Sequence, residues 1–346
     1  MNSKKKTVLG VIYIAATVGI VLFIGFKNHN LHTACHVLSK LKKAWVLAAF
    51  CSMIVFILLE GYILHYFFEK QNIKIGFMRT LKIAAIGLYY SCITPSSTGG
   101  QPVQVYYFKK YGVPAGASTS ALAIKLICYQ LSAVLGSIFS FFAFHGYIRR
   151  NLWASMPFII TGLIVNLLPV IILLMLAFNK ALLQKIAGGI VLFLHKIRLI
   201  KDKEKTLQKS RDFAEEYCRQ LSYIKQNPRI FAEMMVLTAI QIISLMAVVF
   251  FVYSAFGLKK YSIFLLLALQ FILYTSVSFA PLPGASGAQE TGFYFYFNAI
   301  FPGKELYFAL LLWRFFTYYL TLLCGGALVA FDGIADFFKR KRNPAG

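Results

Sequence analysis

The sequence predicts an all-α polytopic membrane protein with about six spanning helices and two re-entrant or broken helices, eight apolar segments in total. Three observations support this fold class. Hydrophobic residues make up 59% of the 346 residues and charged residues only 14%, a balance typical of integral membrane proteins. Several apolar runs reach the length of a bilayer span. A polar, helix-breaking stretch occurs twice, each time at the end of a shorter apolar run.

The net charge of +24 at pH 7 does not indicate binding of nucleic acid. The cations lie at the ends of apolar runs and in one segment, 179–229, which carries twelve Lys/Arg against five Asp/Glu. Contact with lipid headgroups and retention on the cytoplasmic face explain such a distribution. The six cysteines are scattered and form no CxxC or Cys/His cluster, which predicts neither a disulfide framework nor a metal site. We expect no cofactor, and membrane phospholipid as the partner.

Six apolar runs are long enough to cross a hydrocarbon core of about 30 Å; they are 7–26, 44–68, 114–145, 152–178, 230–257 and 305–331. Three lysines precede the first run, as in a signal peptide. However, no small-x-small cleavage site follows before Lys27, so we interpret this run as a retained helix. Two shorter runs, 77–94 and 262–281, end in the repeated break.

Charge bias decides between two topologies. If both shorter runs span, the chain crosses eight times and the basic segment 179–229 lies outside. If both shorter runs enter the membrane and return to the same face, six crossings remain. The segment 179–229 then lies inside together with both chain ends. Because basic connections stay on the cytoplasmic side, we expect the second topology, in the cell membrane with both termini cytoplasmic. Lys40, Lys42 and Lys43 would then lie on the outer face, which is contrary to the preference of basic residues for the cytoplasmic side.

The broken helices belong to an internal repeat. Residues 95–108 align without a gap with residues 283–296, an offset of 188. With one residue inserted, the alignment continues, and it pairs Lys125 with Arg314, Tyr129 with Tyr318, and Gly136 with Gly325. The chain is therefore predicted to form one transmembrane domain, 1–346, with repeats at about 77–145 and 262–331. The two repeats would enter from opposite faces, as in many transporters.

Each break is expected to end one half-helix and to start another at membrane depth. Thr98-Gly-Gly-Gln101 and Ser286-Gly-Ala-Gln289 both match the capping-box pattern at a helix start. The free N–H groups and the positive dipole end of such a start suit a phosphate group. A Gly/Pro-kinked helix that packs within a bundle is the structural alternative.

Lys125 and Arg314 each follow a break inside an apolar helix, where a charge costs roughly 2.5–3.5 kcal/mol to insert. Pairing with Glu60 and Glu290 to hold helices together would explain both cations. A cavity for an anionic headgroup, with the carboxylates as tuning or proton-coupling groups, would also explain them, and both roles can hold. The predicted substrate-binding residues are Ser97, Thr98, Gly99, Gly100, Gln101, Lys125, Tyr129, Gly284, Ser286, Gly287, Gln289, Glu290, Arg314 and Tyr318.

Motifs for catalysis are missing from the sequence. It has no GxSxG, P-loop or HExxH motif and no carboxylate pair in an acid/base arrangement, so we predict no catalytic residue.

At the break residues the sequence resembles the flippase-like membrane family related to the N-terminal part of lysylphosphatidylglycerol synthase. The motifs are Pro95–Gln101, the stretch Pro281-Leu-Pro-Gly-Ala-Ser-Gly-Ala-Gln-Glu290, and Arg314. Gln101-Pro102 stands where an acidic residue often follows the glycines of the family, and Lys125 stands where an Arg is common. The resemblance covers about residues 7–335.

The resemblance implies that the protein moves a phosphate-bearing lipid, with or without an aminoacyl group, between leaflets. Two alternatives remain at this point. One is a membrane-embedded aminoacyl or glycosyl transferase, and the other is an accessory subunit of a separately encoded lipid-modifying enzyme. The soluble aminoacyl-transfer domain of bifunctional relatives would not fit after the last predicted helix, so we do not expect lysyl transfer.

Overall fold

A computed structural model describes residues 39–179 and 203–342 apart from Phe279 and Pro281, together with Val37 and scattered positions between 181 and 192. The predicted first span, 7–26, and both chain ends lie outside the described residues, as do residues 193–202 of the segment 179–229. The described part is helical, and its one β-type contact is an isolated bridge between the two breaks.

Twelve α-helices are described, with a short 3-10 turn, Trp153–Ser155, before α6 and a π-helical segment, Phe315–Tyr319, between α11 and α12. In chain order they are α1 Lys43–Lys70, α2 Phe77–Ile93, α3 Gly100–Lys110, α4 Ala115–Ala143, α5 His145–Asn151, α6 Met156–Phe178, α7 Lys203–Gln226, α8 Pro228–Ala255, α9 Ile263–Val277, α10 Ala288–Phe297, α11 Glu305–Arg314 and α12 Leu320–Arg342.

Five helical stretches are long and apolar enough to cross a membrane, which makes this an integral membrane protein. They are Lys43–Lys70, Ala115–Ala143, Trp153–Ile172, Pro228–Ala255 and Glu305–Asp332, and each coincides with a predicted span. Helices α2 and α9 have 17 and 15 residues. At 1.5 Å per residue they fall short of a hydrocarbon core of about 30 Å, and both end at a break.

Helices α1 and α8 form an antiparallel pair that defines the two ends of the bundle. The Lys42 amide donates to the Ala255 carbonyl over 2.9 Å at one end, and the Tyr66 hydroxyl donates to Glu233 near the other. The Tyr223 hydroxyl of α7 donates to the Lys70 carbonyl over 2.8 Å. The basic helix α7 therefore lies at the Lys70 end.

Each broken helix returns to the end of the bundle from which it came. After the first break, α3 brings Phe108 against Phe68 of α1, with ring centroids 4.9 Å apart, at the Lys70 end. After the second break, the chain that follows α10 brings Phe301 against Tyr253 of α8, 5.5 Å between centroids, at the Ala255 end. The two broken segments thus occupy opposite ends.

The two repeats pack into each other. Helix α2 of the first repeat lies against α12 of the second, and α9 of the second lies against α4 of the first. The contact of α2 with α12 is backbone-close, because a Cβ at Gly325 would lie 2.5 Å from the Ala85 carbonyl oxygen. Only glycine permits such an approach. The break of each repeat is consequently held by helices of both.

Candidate functional site

The two breaks have the same unusual backbone conformation. Ser96 and Ser97 have φ of 49° and 55°, and the aligned Gly284 and Ala285 have φ of 58° and 49°. Positive φ is uncommon for residues other than glycine and collects at functional sites, where the surrounding structure holds it in place. The strain is therefore present twice, at an offset of 188 residues.

The breaks also touch each other. Pro95 and Pro283 form an isolated antiparallel bridge, so the two turns lie side by side. Helix α3 starts five residues after Pro95 and α10 starts five residues after Pro283. The starts of α3 and α10 therefore each follow the same bridge by five residues.

The predicted capping boxes are wrong in their residues. Helix α3 begins at Gly100, and Thr98 lies in the turn, where its hydroxyl donates to the Pro95 carbonyl. The Gly99 amide donates instead to Thr94 Oγ1 over 2.9 Å. The N-cap is Gly99, one residue later than predicted. Thr98 is thereby moved out of the capping position.

At the second break the cap is formed by Glu290. Its Oε2 accepts from the Gly287 amide over 2.5 Å, one residue beyond the predicted Ser286–Gln289 pair. Gly287 has φ of 86°, which glycine adopts without steric cost. The carboxylate thus satisfies one of the free N–H groups at the start of α10.

Lys125 forms an ion pair with Glu60 that is almost sealed from solvent. Their side chains are 7% and 11% exposed. Gln241 Nε2 donates to the second oxygen of Glu60 over 2.5 Å. Lys125, Glu60 and Gln241 thus connect α4, α1 and α8. A buried pair of this kind costs desolvation that its own attraction roughly offsets, so it is weak evidence for a purely stabilising role.

Arg314 is bound to the second break by several contacts. Its Nε donates to Glu290 Oε1 over 2.5 Å, and its Nη2 donates to the Gly284 carbonyl over 3.2 Å and to Ser286 Oγ over 3.4 Å. The guanidinium carbon lies 4.9 Å from the centre of the Tyr318 ring, within cation–π range. The π-helical segment begins directly after Arg314, and such segments are frequent at functional sites.

The tyrosines one turn beyond the cations connect each repeat to the other. Tyr274 of α9 donates to the Tyr129 hydroxyl of α4 over 3.2 Å. Tyr318 donates to the Cys92 carbonyl at the end of α2, also over 3.2 Å. Each cation-bearing helix is thus tied to the broken helix of the opposite repeat.

Two adjoining cavities surround the breaks. The larger, about 600 Å³, is lined by both Lys125 and Glu60 and by part of the first break. The smaller, about 210 Å³, is lined by Arg314 and by part of the second break. The residues that line both are Phe56, Leu88, Ser91, Ser96, Ser97, Tyr129, Tyr274 and Ser278.

Most predicted site residues line these cavities. Ser97, Thr98, Gln101, Lys125, Tyr129 and Glu60 line the larger one, and Gly284, Gln289, Arg314 and Tyr318 line the smaller. Those outside both linings are Gly99, Gly100, Ser286, Gly287 and Glu290. Gly100 packs against α2, because a Cβ there would lie 2.6 Å from the Gly87 carbonyl oxygen. Ser286 and Glu290 accept hydrogen bonds from Arg314.

Sequence reasoning missed several polar residues of the cavity walls. These include Gln104, Asn166, Gln270, Tyr274 and Thr321. Each lies within a helix, and a buried glutamine or threonine there often only bonds a neighbouring helix. The repeat alignment pointed to the helices of Gln104, Gln270, Tyr274 and Thr321, which lie within the aligned repeats, but not to Asn166 of α6.

The fold and the site define a polytopic helical membrane protein in which two broken helices meet beside two ion pairs. Within that class, the chain belongs to the family described as Lysylphosphatidylglycerol synthase TM region, whose profile matches residues 8–325. It is similar to a UPF0104 membrane protein of Archaeoglobus fulgidus, 24% identical over 311 residues that cover 88% of this chain and 92% of the relative. It is also similar to UPF0104 membrane protein PH1989 of Pyrococcus horikoshii, 27% identical over 286 residues, covering 76% and 79%.

Proposed function

We propose that this protein moves a phosphate-bearing lipid, with or without an aminoacyl group, between the leaflets of the cell membrane. The observation that carries the proposal is the contact of two equivalent helix breaks between two cavities, each with a cation in its wall. A headgroup in these cavities would avoid hydrocarbon, while the acyl chains stay in the bilayer. Removing that contact with hydrocarbon lowers the main barrier to lipid exchange.

The proposed topology has two re-entrant segments that enter from opposite faces. The return of α3 to the Lys70 end and of the second broken segment to the Ala255 end supports it. The Lys70 end also carries the basic helix α7, so the positive-inside bias makes it the cytoplasmic end. A span at 7–26 would then bring the N-terminus to the same side as Arg342.

In this proposal, the larger cavity opens toward the cytoplasmic face and the smaller cavity opens toward the outer face. The residues that line both cavities close the path between them. Tyr129 and Tyr274 line both cavities and are hydrogen-bonded to each other. Passage of a headgroup requires this pair to separate. Because the pair joins α4 to α9, its separation would move one repeat relative to the other, as expected for alternating access.

Purified protein in liposomes should accelerate leaflet exchange of a labelled anionic phospholipid by about tenfold or more over empty liposomes, without added nucleotide. The reason is that the sequence contains no nucleotide-binding motif, while each cavity offers the headgroup a cation and several polar side chains. Exchange is measured by quenching of outer-leaflet label, with and without a proton gradient. A panel of such lipids that all exchange at the rate of empty liposomes would favour an accessory-subunit role.

Water is expected to reach the two breaks from opposite sides of the membrane. In a background without reactive cysteines, Ser97→Cys should be labelled by a charged maleimide from the cytoplasmic face and Ser286→Cys from the outer face. The expectation follows from the opposite ends at which the broken segments return. Labelling of both positions from one face would rule the inverted arrangement out.

A further inference from the structure

The three lysines that are contrary to the charge bias belong to a larger basic surface. Lys40, Lys42 and Lys43 lie at the Ala255 end of the bundle, where the proposed topology puts the outer face. All three side chains are exposed. Because basic residues are disfavoured on that face, a function of their own would explain why they are there.

Three other segments bring five more exposed cations to the same end. They are Arg149 and Arg150 of α5, Lys259 and Lys260 of the α8–α9 connection, and Lys304, which precedes α11. The end of the bundle therefore carries eight exposed cations from four segments that are far apart in the chain.

Carboxylates distinguish this end from the other. The four segments contain no acidic residue, and none of the eight cations forms an ion pair with a described residue. At the Lys70 end, by contrast, Arg229 pairs with Glu233 over 3.0 Å and Lys82 pairs with Asp332. The positive charge of the Ala255 end is thus not neutralised within the described protein.

Packing gathers three of the four segments around Tyr261. Its ring lies 6.5 Å from that of Tyr147 in α5 and 6.3 Å from that of Tyr253 in α8, between centroids. Its hydroxyl donates to the Ala299 carbonyl, in the chain that leads to α11, over 3.1 Å. The Lys260 ammonium lies 5.2 Å from the centre of the Tyr261 ring. The cations consequently form one surface rather than isolated charges.

The segment before α1 joins this surface through Lys42. Its amide donates to the Ala255 carbonyl over 2.9 Å, and a Cβ at Gly257 would lie 3.6 Å from its ammonium nitrogen. The Lys42 side chain therefore reaches the connection that carries Lys259 and Lys260. We call the eight cations around Tyr261 the basic end surface.

Tryptophan marks the level of the basic end surface relative to the bilayer. Trp45 and Trp153 are 36% and 68% exposed, and both lie at this end of the bundle. Exposed tryptophan prefers the headgroup level. Lys43 and Arg150 precede these tryptophans by two and three residues, on the side away from the spans that follow. The cations therefore face the aqueous side of the headgroup region.

Uniform charge selects a flexible polyanion as the partner of this surface. Clustered cations without counter-charges create a positive potential that attracts anions. The core of an interface with a folded protein is depleted of charge and rich in aromatic contact area. Here the rings of Tyr147 and Tyr261 are half-buried and pack against each other. A flexible chain of anionic groups can follow separate clusters of cations, and its binding releases counterions.

We propose that the basic end surface binds a flexible polyanion, a linear polymer of phosphate or carboxylate groups, on the outer side of the membrane. The binding goes beyond lipid translocation and does not require it. Only the assignment to the outer face rests on the topology proposed above.

Protection of an engineered cysteine tests binding at this surface alone. Asn151→Cys puts a reporter at the exposed end of α5, in full-length protein without other reactive cysteines, in phosphatidylcholine nanodiscs. A linear polyphosphate is expected to slow the reaction of this cysteine with an uncharged maleimide. The apparent affinity, obtained by titration, should fall by about tenfold or more between about 50 and 200 mM salt.

Removal of two cations from a different segment tests whether the surface acts as a unit. In the reporter background, Lys259→Gln with Lys260→Gln should lower the apparent affinity for polyphosphate by about tenfold or more. Polyglutamate in place of polyphosphate identifies the anion. Equal protection by both polymers supports recognition of charge alone, and protection by polyphosphate only narrows the partner to a phosphate polymer.

Lys109→Gln with Lys110→Gln is the matched control. This adjacent pair is also exposed and ends α3 at the Lys70 end. The 28 residues of α1 separate the two ends by about 40 Å, far beyond the range of screened charge. The apparent affinity at the reporter should therefore change by about twofold or less. An equal loss in both double variants would show that net charge alone attracts the polymer, and would overturn the proposal.

The membrane is the alternative source of anions. If nanodiscs that contain phosphatidylglycerol protect the reporter without polymer, and polyphosphate adds nothing, the surface binds headgroups of its own leaflet and the polymer assignment is rejected. A reporter that polyphosphate does not protect at low salt, in protein that exchanges lipid in liposomes, would reject the surface and leave translocation standing. Protection without lipid exchange would reject translocation and leave the surface standing.

Discussion

Replacing Lys125 with alanine is expected to lower the free energy of unfolding by about 3–5 kcal/mol. The substitution leaves the Glu60 carboxylate, which is only 11% exposed, without its cation, and Gln241 remains as its one described donor. A loss of this size is a large fraction of the stability of a typical folded protein. Thermal unfolding in detergent, followed with a thiol-reactive or intrinsic fluorescence signal, measures it.

A double variant separates stability from function at this site. Lys125→Met with Glu60→Gln contains no buried charge and keeps an acceptor for Gln241 Nε2. Its unfolding free energy should therefore lie within about 1 kcal/mol of wild type. If Lys125 binds the lipid phosphate, exchange in liposomes should still fall by about tenfold or more. A stable double variant with wild-type exchange would show that the pair only joins helices.

Replacing Arg314 with alanine is expected to have the larger effect on lipid exchange and the smaller effect on stability. Its partner Glu290 is 26% exposed and keeps the Gly287 amide as a donor, so the stranded carboxylate costs less, about 1–3 kcal/mol. The smaller cavity loses its one described cation. Exchange of an anionic phospholipid should fall by about tenfold or more.

Conservative variants at the same pair provide the controls. Arg314→Lys keeps the charge, but an ammonium cannot reproduce the fork that reaches Glu290, Gly284 and Ser286 together. We expect intermediate exchange. Glu290→Gln keeps an acceptor for the Gly287 amide and leaves Arg314 in the cavity, so anionic-lipid binding should be retained. A loss of lipid affinity in Glu290→Gln equal to that in Arg314→Ala would argue that the pair acts as a structural unit.

The spans could be predicted because they depend on a local property of the chain. A hydrocarbon core of about 30 Å requires about 20 consecutive apolar residues. Runs such as 44–68 and 230–257 meet this requirement. The two breaks were equally visible. Glycine, proline and polar residues interrupted an apolar run twice, and the repeat itself marked Lys125 and Arg314 as the charges to examine.

The start of each half-helix was predicted one residue early, because capping depends on the backbone path as well as on residue type. Thr98 and Ser286 carry the side chains preferred at a helix start. The positive φ values of Ser96, Ser97, Gly284 and Ala285, however, turn the chain before those side chains can reach the free N–H groups. Such φ values are rare for serine and alanine, so residue type alone could not predict them.

Residue order determined that this is a helical membrane protein with a duplicated break and two cations within apolar runs, because span length, helix breaking and charge are properties of neighbouring residues. The meeting of Pro95 with Pro283, the exchange of packing partners between repeats and the gathering of basic segments around Tyr261 were decided by the tertiary structure. These contacts join residues far apart in the chain. They arise from close packing of helices, for which no local pattern exists.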